Sequence, residues 1–296
     1  MITTAAALRA RIKAPGLITA PGVYDMISAR IADKMGFPAL YMTGFGVVAS
    51  YLGLPDAGLA TYTDMAGRVN QICAITQTPL IADADTGYGG LLNVAHTVRG
   101  YIKAGAAALQ IEDQEFPKKC GHTPGRRVIP LADMVKKIRV AVEARGADDI
   151  LIVARTDART TLGIDEAIAR GKRFAAAGAD VVFVKSPETP DEMRAVCREV
   201  PAPCLANLVE GGRTPHLPQD ELAAIGYRVA IYPNALTRAF ARAGQDLLEE
   251  IKRTGTSAGM PPRMLTHGEL WDLFGRREWN AQEPRFVRDV GFKQET

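Results

Sequence analysis

Two short stretches hold most of the residues that could do chemistry. Gln110–His122, QIEDQEFPKKCGH, carries Glu112, Asp113, Lys118, Lys119, Cys120 and His122. Ile81–Gly87, IADADTG, carries Asp83 and Asp85. Each reads as a buried strand that runs out into a polar loop. Carboxylates from adjacent strand ends are the oxygen ligands that Mg²⁺ takes, together with retained waters and a chelating substrate. A thiol beside two lysines and a histidine is in a setting that lowers its pKa and keeps it accessible. The pattern therefore points to a divalent-cation site with an acid/base loop above it. The competing reading is that the acids merely cap loops and pair with Arg155 or Lys118. A structural cysteine would more often lie in an apolar run, as Cys73 and Cys204 do.

Such residues need a scaffold that brings strand ends together. Short apolar runs near Leu17–Ala20, Ala39–Met42, Leu80–Asp83, Ala107–Ile111, Leu151–Ala154, Val181–Val184, Cys204–Leu208 and Val229–Tyr232 alternate with helix-like segments. The runs are apolar on both faces, as strands buried in a parallel sheet are. Gly36, Gly105, Gly178 and Gly226 each fall just before a strand, where a helix end calls for a left-handed residue. Thr189-Pro190-Asp191-Glu192 reads as a helix start with a capping-box glutamate. Eight strands with intervening helices predict an α/β fold, a (β/α)8 TIM barrel, with an open doubly wound sheet as the alternative.

In a barrel the active face is built from strand C-termini and the loops that follow. That places Thr43, Gly44 and Phe45 after strand two, Asp83 and Asp85 after three, and Glu112 with KKCGH after four. Strand five contributes Arg155 and Asp157, six Lys185, seven Asn207 and Glu210, and eight Asn234. GFGVVA at 44–49 matches a dinucleotide fingerprint, but no acidic strand end follows at the required distance. A short substrate-binding turn is the better reading. By composition Asp56, in GLPD, is an ordinary turn residue. His96, His216 and His267 lack partners in sequence and read as surface or packing residues.

The 296 residues divide into a barrel, 1–245, and a linker with a C-terminal helical segment, 246–296. That segment bears Leu270, Trp271, Leu273 and Phe274, an apolar helix face that needs a partner surface. A net charge of +3, with Lys and Arg scattered along the chain, gives no argument for nucleic acid. No apolar run approaches the roughly 20 residues of a membrane span. The N-terminus has Arg9, Arg11 and Lys13 where a signal peptide needs its apolar centre. Four cysteines with no CxxC spacing suit a reduced, cytoplasmic setting.

With these residues in view, the chain resembles the isocitrate lyase/phosphoenolpyruvate mutase superfamily over nearly its full length. DADTGYG, QIEDQ, KKCGH, ARTDA and LANLVEGG carry the resemblance. KKCGH is typical of the lyase branch, in which methylisocitrate and dimethylmalate lyases fall. The resemblance implies a barrel whose last helix is swapped between subunits of a homotetramer. It implies Mg²⁺, or alternatively Mn²⁺, near Asp85, with Asp56, Asp83 and Glu112 acting largely through water. Substrate groups would be held by Thr43, Gly44, Phe45, Arg155, Lys185 and Asn207. Cys120 would be the acid/base on a closing loop, with Lys118, His122, Arg155 and Glu112 in the catalytic set.

The reaction so implied cleaves a C–C bond of a small 2-hydroxy di- or tricarboxylate, giving a 2-oxo acid and a carboxylate. Two departures bear on the substrate. Lyases of the family usually carry a glutamate at the end of strand six, where this chain has Lys185, and its loop continues as CGHTPGRR. Lys185 reverses a charge beside the substrate and favours a more anionic ligand. The rival readings are a phosphonopyruvate mutase or hydrolase and an oxaloacetate decarboxylase or hydrolase. A barrel used only for assembly or sensing would require the acids and the thiol to be incidental.

Overall fold

The computed structural model describes residues 4–120, 123 and 125–290. Eight parallel strands close into a barrel: β1 Ile18–Val23, β2 Leu40–Met42, β3 Leu80–Asp83, β4 Ala108–Glu112, β5 Leu151–Thr156, β6 Val181–Val184, β7 Cys204–Asn207 and β8 Tyr227–Tyr232. Closure is direct, since β1 pairs with β8 from Ile18 opposite Val229 to Pro21 opposite Tyr232. This settles the choice between barrel and open sheet. Strands β2 to β7 are buried at every position, as their unbroken apolar runs require.

The helix Thr4–Lys13 turns Ala5, Leu8 and Ile12 inward. They share one buried cluster with Ile18, Ala39, Leu151 and Val181 at the beginnings of strands. The end of the barrel opposite the strand C-termini is thus sealed by hydrocarbon, and polar groups are left to the other end. Gly36, Gly105, Gly178 and Gly226 all adopt positive φ, between 74° and 114°. At Gly226 this residue ends the helix Gln219–Ile225 one step before β8 begins.

Two local readings change. Thr189 does cap the helix Pro190–Glu199, accepting from Glu192 N–H at 3.1 Å. Glu192 does not complete a capping box, because its carboxylate accepts from Glu188 N–H and is gripped by Arg159. The GFGVVA stretch is a helix start: Gly44–Val47 is helical, with Thr43 at its N-cap. Its glycines are there for close approach, since a Cβ on Gly44 would lie 2.8 Å from Asp83 Oδ2.

The chain forms two compact units, residues 1–238 and 239–296. Within the second, His267–Leu273 and Arg276–Val290 are separate helices, broken at Gly275 with φ 72°. The single helix over 266–279 that the apolar spacing of this segment predicts is therefore two. Leu273 is buried, while Trp271 and Trp279 are well exposed.

Candidate active site

The C-terminal ends of the strands converge on a small cavity of about 40 Å³. Thr43, Phe45, Asp56, Asp83, Glu112, Lys118, Lys119, Cys120, Arg155, Lys185 and Asn207 all line it. Asp85 and Gly44 lie against the same wall through Lys118 and Asp83. His122 lies outside the described residues. Asn234 also faces the cavity, as do Tyr41 and Phe183, which look like core residues of apolar strands in the sequence.

The β3 loop is shaped by backbone conformation. Asp85 (φ 46°), Gly87 (φ 84°), Tyr88 (φ 57°) and Gly89 (φ 143°) all have positive φ, which at the non-glycine Asp85 and Tyr88 persists where surroundings over-determine it. Asp83 supplies part of that constraint. It accepts from Gly44 N–H at 3.3 Å, Asp85 N–H at 3.2 Å and Gln110 Nε2 at 3.3 Å. Asp83 thus accepts from three neutral donors and positions its neighbours, with acceptor capacity left on Oδ2. Tyr101 donates to the Asp83 carbonyl at 3.0 Å and locks the loop from behind.

Asp85 faces Lys118, whose Nζ lies 2.7 Å from Asp85 Oδ1 and 2.5 Å from Asp56 Oδ1. Burial pushes Asp85 up to about 6, against the pull of Lys118. Burial would lower Lys118, but Asp85 and Asp56 raise it well above its usual range. At neutral pH the contact is a buried ion pair.

Glu112 stands opposite Arg155 in the β4–β5 register, with Nη1 2.9 Å from Oε2. The rest of the Arg155 guanidinium grips Asp157, through Nε at 2.8 Å and Nη2 at 3.0 Å. Burial works against the charge on Asp157, but Arg155 and Arg126 hold its carboxyl below the usual range. Glu112 is pushed well above the carboxylate range by burial, with Arg155 only partly offsetting this. Its Oε1 is buried with no hydrogen bond, as is Asp85 Oδ1 apart from the Lys118 ion pair.

These orphaned oxygens bear on an Mg²⁺ site. Among the described residues no three His, Cys, Asp or Glu side chains converge closely enough to hold an ion by themselves. The donor set is nevertheless all oxygen, and Glu112 Oε1 is left without a hydrogen bond. That suits a hard cation bound through one carboxylate, waters and substrate. The residues fit the group on those terms.

Lys185 follows β6 directly, held by its N–H to the Thr156 carbonyl at 3.0 Å and by Ser186 in the left-handed region, φ 62°. Among the described residues no hydrogen bond or ion pair reaches its ammonium. Burial, reinforced by Arg155, lowers its pKa to about 7.

The loop carrying Cys120 is braced at its base. Gln114 accepts from Lys119 N–H and donates to the Lys119 carbonyl, both at 3.0 Å, and bridges to Val128. Arg126, which lacks any motif in sequence beyond GRR, is buried and clamps the far side. It lies 3.1 Å from Asp157 Oδ1 and donates to Thr160 Oγ1 at 2.9 Å. Below, Asp113 accepts from Thr156 Oγ1, Asp157 N–H and Arg170 Nη1 at 2.7, 2.9 and 2.9 Å. Arg170→Met strands this buried carboxylate, so a loss of about 3–5 kcal/mol is expected. Thermal unfolding would check it, and an unchanged Tm would show that Asp113 needs no counter-charge.

Comparison with known proteins places this geometry. The family model described as phosphoenolpyruvate phosphomutase matches residues 8–252. The chain is 47% identical to 2,3-dimethylmalate lyase of Eubacterium barkeri, over 97% of this chain and 99% of that one. It is 42% identical to 2-methylisocitrate lyase of Aeropyrum pernix, over 95% of this chain and 90% of that one. Among solved structures, oxaloacetate acetylhydrolase in complex with the inhibitor 3,3-difluorooxalacetate superposes with a TM-score of 0.91, at 36% identity and 99% coverage of both chains.

Proposed function

The chain belongs to the phosphoenolpyruvate mutase/isocitrate lyase superfamily, and on that premise we propose that it is a divalent-cation-dependent lyase. Its substrate class is a 2-hydroxy di- or tricarboxylate of the methylisocitrate or dimethylmalate type, cleaved to a 2-oxo acid and a carboxylate. The observation that carries the reading is a single cavity lined by Glu112, Arg155, Lys185 and the thiol of Cys120. A proton acceptor, two cations and a proton donor then line one cavity.

Asp85 would hold Mg²⁺ or Mn²⁺ directly, with Asp56, Asp83 and Glu112 acting through water. When bound, that cation supplies Lewis-acid polarisation of the substrate oxygens. The chain's own residues do the rest. Arg155 is fixed by Glu112 and Asp157 and presents a guanidinium edge to a substrate carboxylate. Thr43, Gly44, Phe45 and Asn207 orient the remaining oxygens. Glu112, with Oε1 unpaired, accepts the proton of the 2-hydroxyl. The O–H electron pair becomes the second bond of the 2-oxo group, and the bond between C2 and C3 breaks. Its electrons pass into the neighbouring carboxyl as an enediolate, whose charge Arg155 and Lys118 offset. Cys120 delivers its proton to that carbon, completing the carboxylate product. Closure of the loop, with His122 in it, excludes water as a rival proton source.

Lys185 favours a ligand with an additional negative group, and it gives the second reading its footing: hydrolysis of oxaloacetate or rearrangement of phosphonopyruvate in the same cavity. Supplying methylisocitrate, dimethylmalate, oxaloacetate and phosphonopyruvate with Mg²⁺ separates these. Turnover of only the last two would overturn the lyase reading.

The role of Lys185 has a pH signature. Its ammonium predominates below about 7 in the unliganded protein and is lost as pH rises through that value. An anionic ligand needs the ammonium, so binding above about 7 takes up a proton. Affinity for oxalate, measured by calorimetry with Mg²⁺ present, is expected to fall by up to about tenfold per pH unit there. Lys185→Met should bind weakly with no such slope. A flat profile in the unmodified protein would contradict this role.

The exposed Trp271 and Trp279 support a helical segment, 246–296, exchanged between subunits of a homotetramer around barrels of 1–245. Sedimentation should return four times the monomer mass. No described helix is long and apolar enough to cross a membrane, and the free thiols suit a cytoplasmic setting.

A further inference from the structure

Asp85 has one counter-ion, and it sits on the loop that carries the thiol. Lys118 Nζ lies 2.7 Å from Asp85 Oδ1 and 2.5 Å from Asp56 Oδ1, and all three side chains are at most 8% exposed. Two of the other cavity cations are engaged elsewhere, and Lys185 stands on the β6 wall with no hydrogen bond or ion pair to Asp85 or Asp56 among the described residues. Arg155 is committed to Glu112 and Asp157, and Lys119 Nζ donates to the Gly125 carbonyl. Asp83 accepts from three N–H donors, and its carboxylate makes no ion pair with Lys118. The ammonium therefore stands in the place where a divalent cation would meet Asp85 and Asp56. Two positive groups a few ångströms apart in so buried a site repel strongly.

We propose that Lys118 is a built-in counter-ion that competes with the divalent cation for Asp85 and Asp56. It occupies the carboxylate pair when the cation is absent and is displaced into the cavity when the cation enters. The inference rests on the reading of Asp85 as the cation ligand. It gives the cation a second role, since displacing Lys118 shifts the segment that holds Cys120 two residues on. It also makes cation affinity weaker than the acids alone would set, because each binding event must break the Lys118 pair.

The test is cation binding without substrate. Mn²⁺ titration followed by electron paramagnetic resonance should show Lys118→Met binding at least about tenfold more tightly than the unmodified protein, within the usual range of coupling between two sites. Methionine keeps the apolar stem and removes the charge. Its two stranded carboxylates should also give the variant a larger Mg²⁺-induced rise in Tm, by linkage. In the unmodified protein, acylation of Lys118 should speed up on adding Mg²⁺, with the exposed Lys172 as internal reference.

Equal or weaker Mn²⁺ binding by Lys118→Met would overturn the competition. Acylation of Lys118 unchanged by Mg²⁺ would do the same even if the variant fails to fold. Mn²⁺ binding by neither protein would overturn the reading of Asp85 along with it, so the two failures are distinguishable.

Discussion

Cys120→Ala should lower kcat for C–C cleavage by about two to four orders of magnitude, the range that a positioned general acid supplies. The expectation follows from where the thiol is and what surrounds it. Cys120 lines the same cavity as Asp83 and Glu112, on a loop after β4. The carbanionic fragment needs one proton on carbon. Arg155 holds its protons too tightly to donate, since Asp157 and Glu112 raise it well above its usual range even against burial. Lys118 is raised in the same way by Asp85 and Asp56. Lys185, lowered to about 7 by burial, is the rival donor among the described cavity cations, and it belongs to the barrel wall. If Lys185 were the donor, Cys120→Ala would retain most of its rate and Lys185→Met would lose it. Because Cys120 is only part-buried, truncation leaves no core cavity, and Mn²⁺ binding should be unchanged in the variant. Steady-state kinetics with a parallel Mn²⁺ titration checks both halves.

Asp85→Asn is the second large effect. Asn tolerates the left-handed conformation that Asp85 occupies at φ 46°, whereas Ala would add backbone strain to the loss of charge. The change removes the negative charge while keeping the shape. Divalent-cation affinity should fall by at least about 100-fold, beyond the 10–100-fold typical of lost outer partners. Activity should fall with it and be only partly restored by excess Mg²⁺. Lys118 should stay paired with Asp56 alone, so the fold survives. Calorimetric Mg²⁺ titration is the check. Unaltered affinity would transfer the ligand role to Glu112, whose Oε1 is the other orphaned oxygen.

Much of this architecture was legible because the signals were local. Apolar runs of four to six residues between glycine-ended helices specify buried parallel strands. Strand ends then specify which side chains share a face, so Asp83, Glu112, Arg155, Lys185 and Asn207 could be grouped without any contact information. Residues whose role depends on distant partners were less visible. Tyr41 and Phe183 sit in apolar strands and read as core, although their side chains reach the cavity. Arg126 gains its meaning only when the loop folds back on Asp157, 31 positions further along the chain, as no periodicity could foretell. Glu192 was expected to close a capping box because of its spacing from Thr189. The Arg159 guanidinium fork and the Glu188 N–H take its carboxylate in place of the Thr189 N–H, and a charged fork is a strong donor. The helix break at Gly275 has the opposite lesson: a glycine after Phe274 was in plain sight, but the apolar spacing across it suggested one continuous helix.

Lys185 joins the two kinds of information. Its identity departs from the glutamate usual among the lyases. Its ammonium, without a hydrogen bond or ion pair among the described residues and set at the cavity wall by a left-handed Ser186, is what the fold makes of that departure. Arg155 and Lys118 are each balanced by two carboxylates, so Lys185 is the cation most available to an incoming anion.

The most direct measurement is product analysis with Mg²⁺ on 2-methylisocitrate and 2,3-dimethylmalate, run side by side on the unmodified protein and Cys120→Ala. The account predicts stoichiometric 2-oxo acid and carboxylate from at least one of these substrates, and no 2-oxo acid above background from the variant over the same time. Release of no 2-oxo acid from either substrate, or undiminished release by Cys120→Ala, would contradict it.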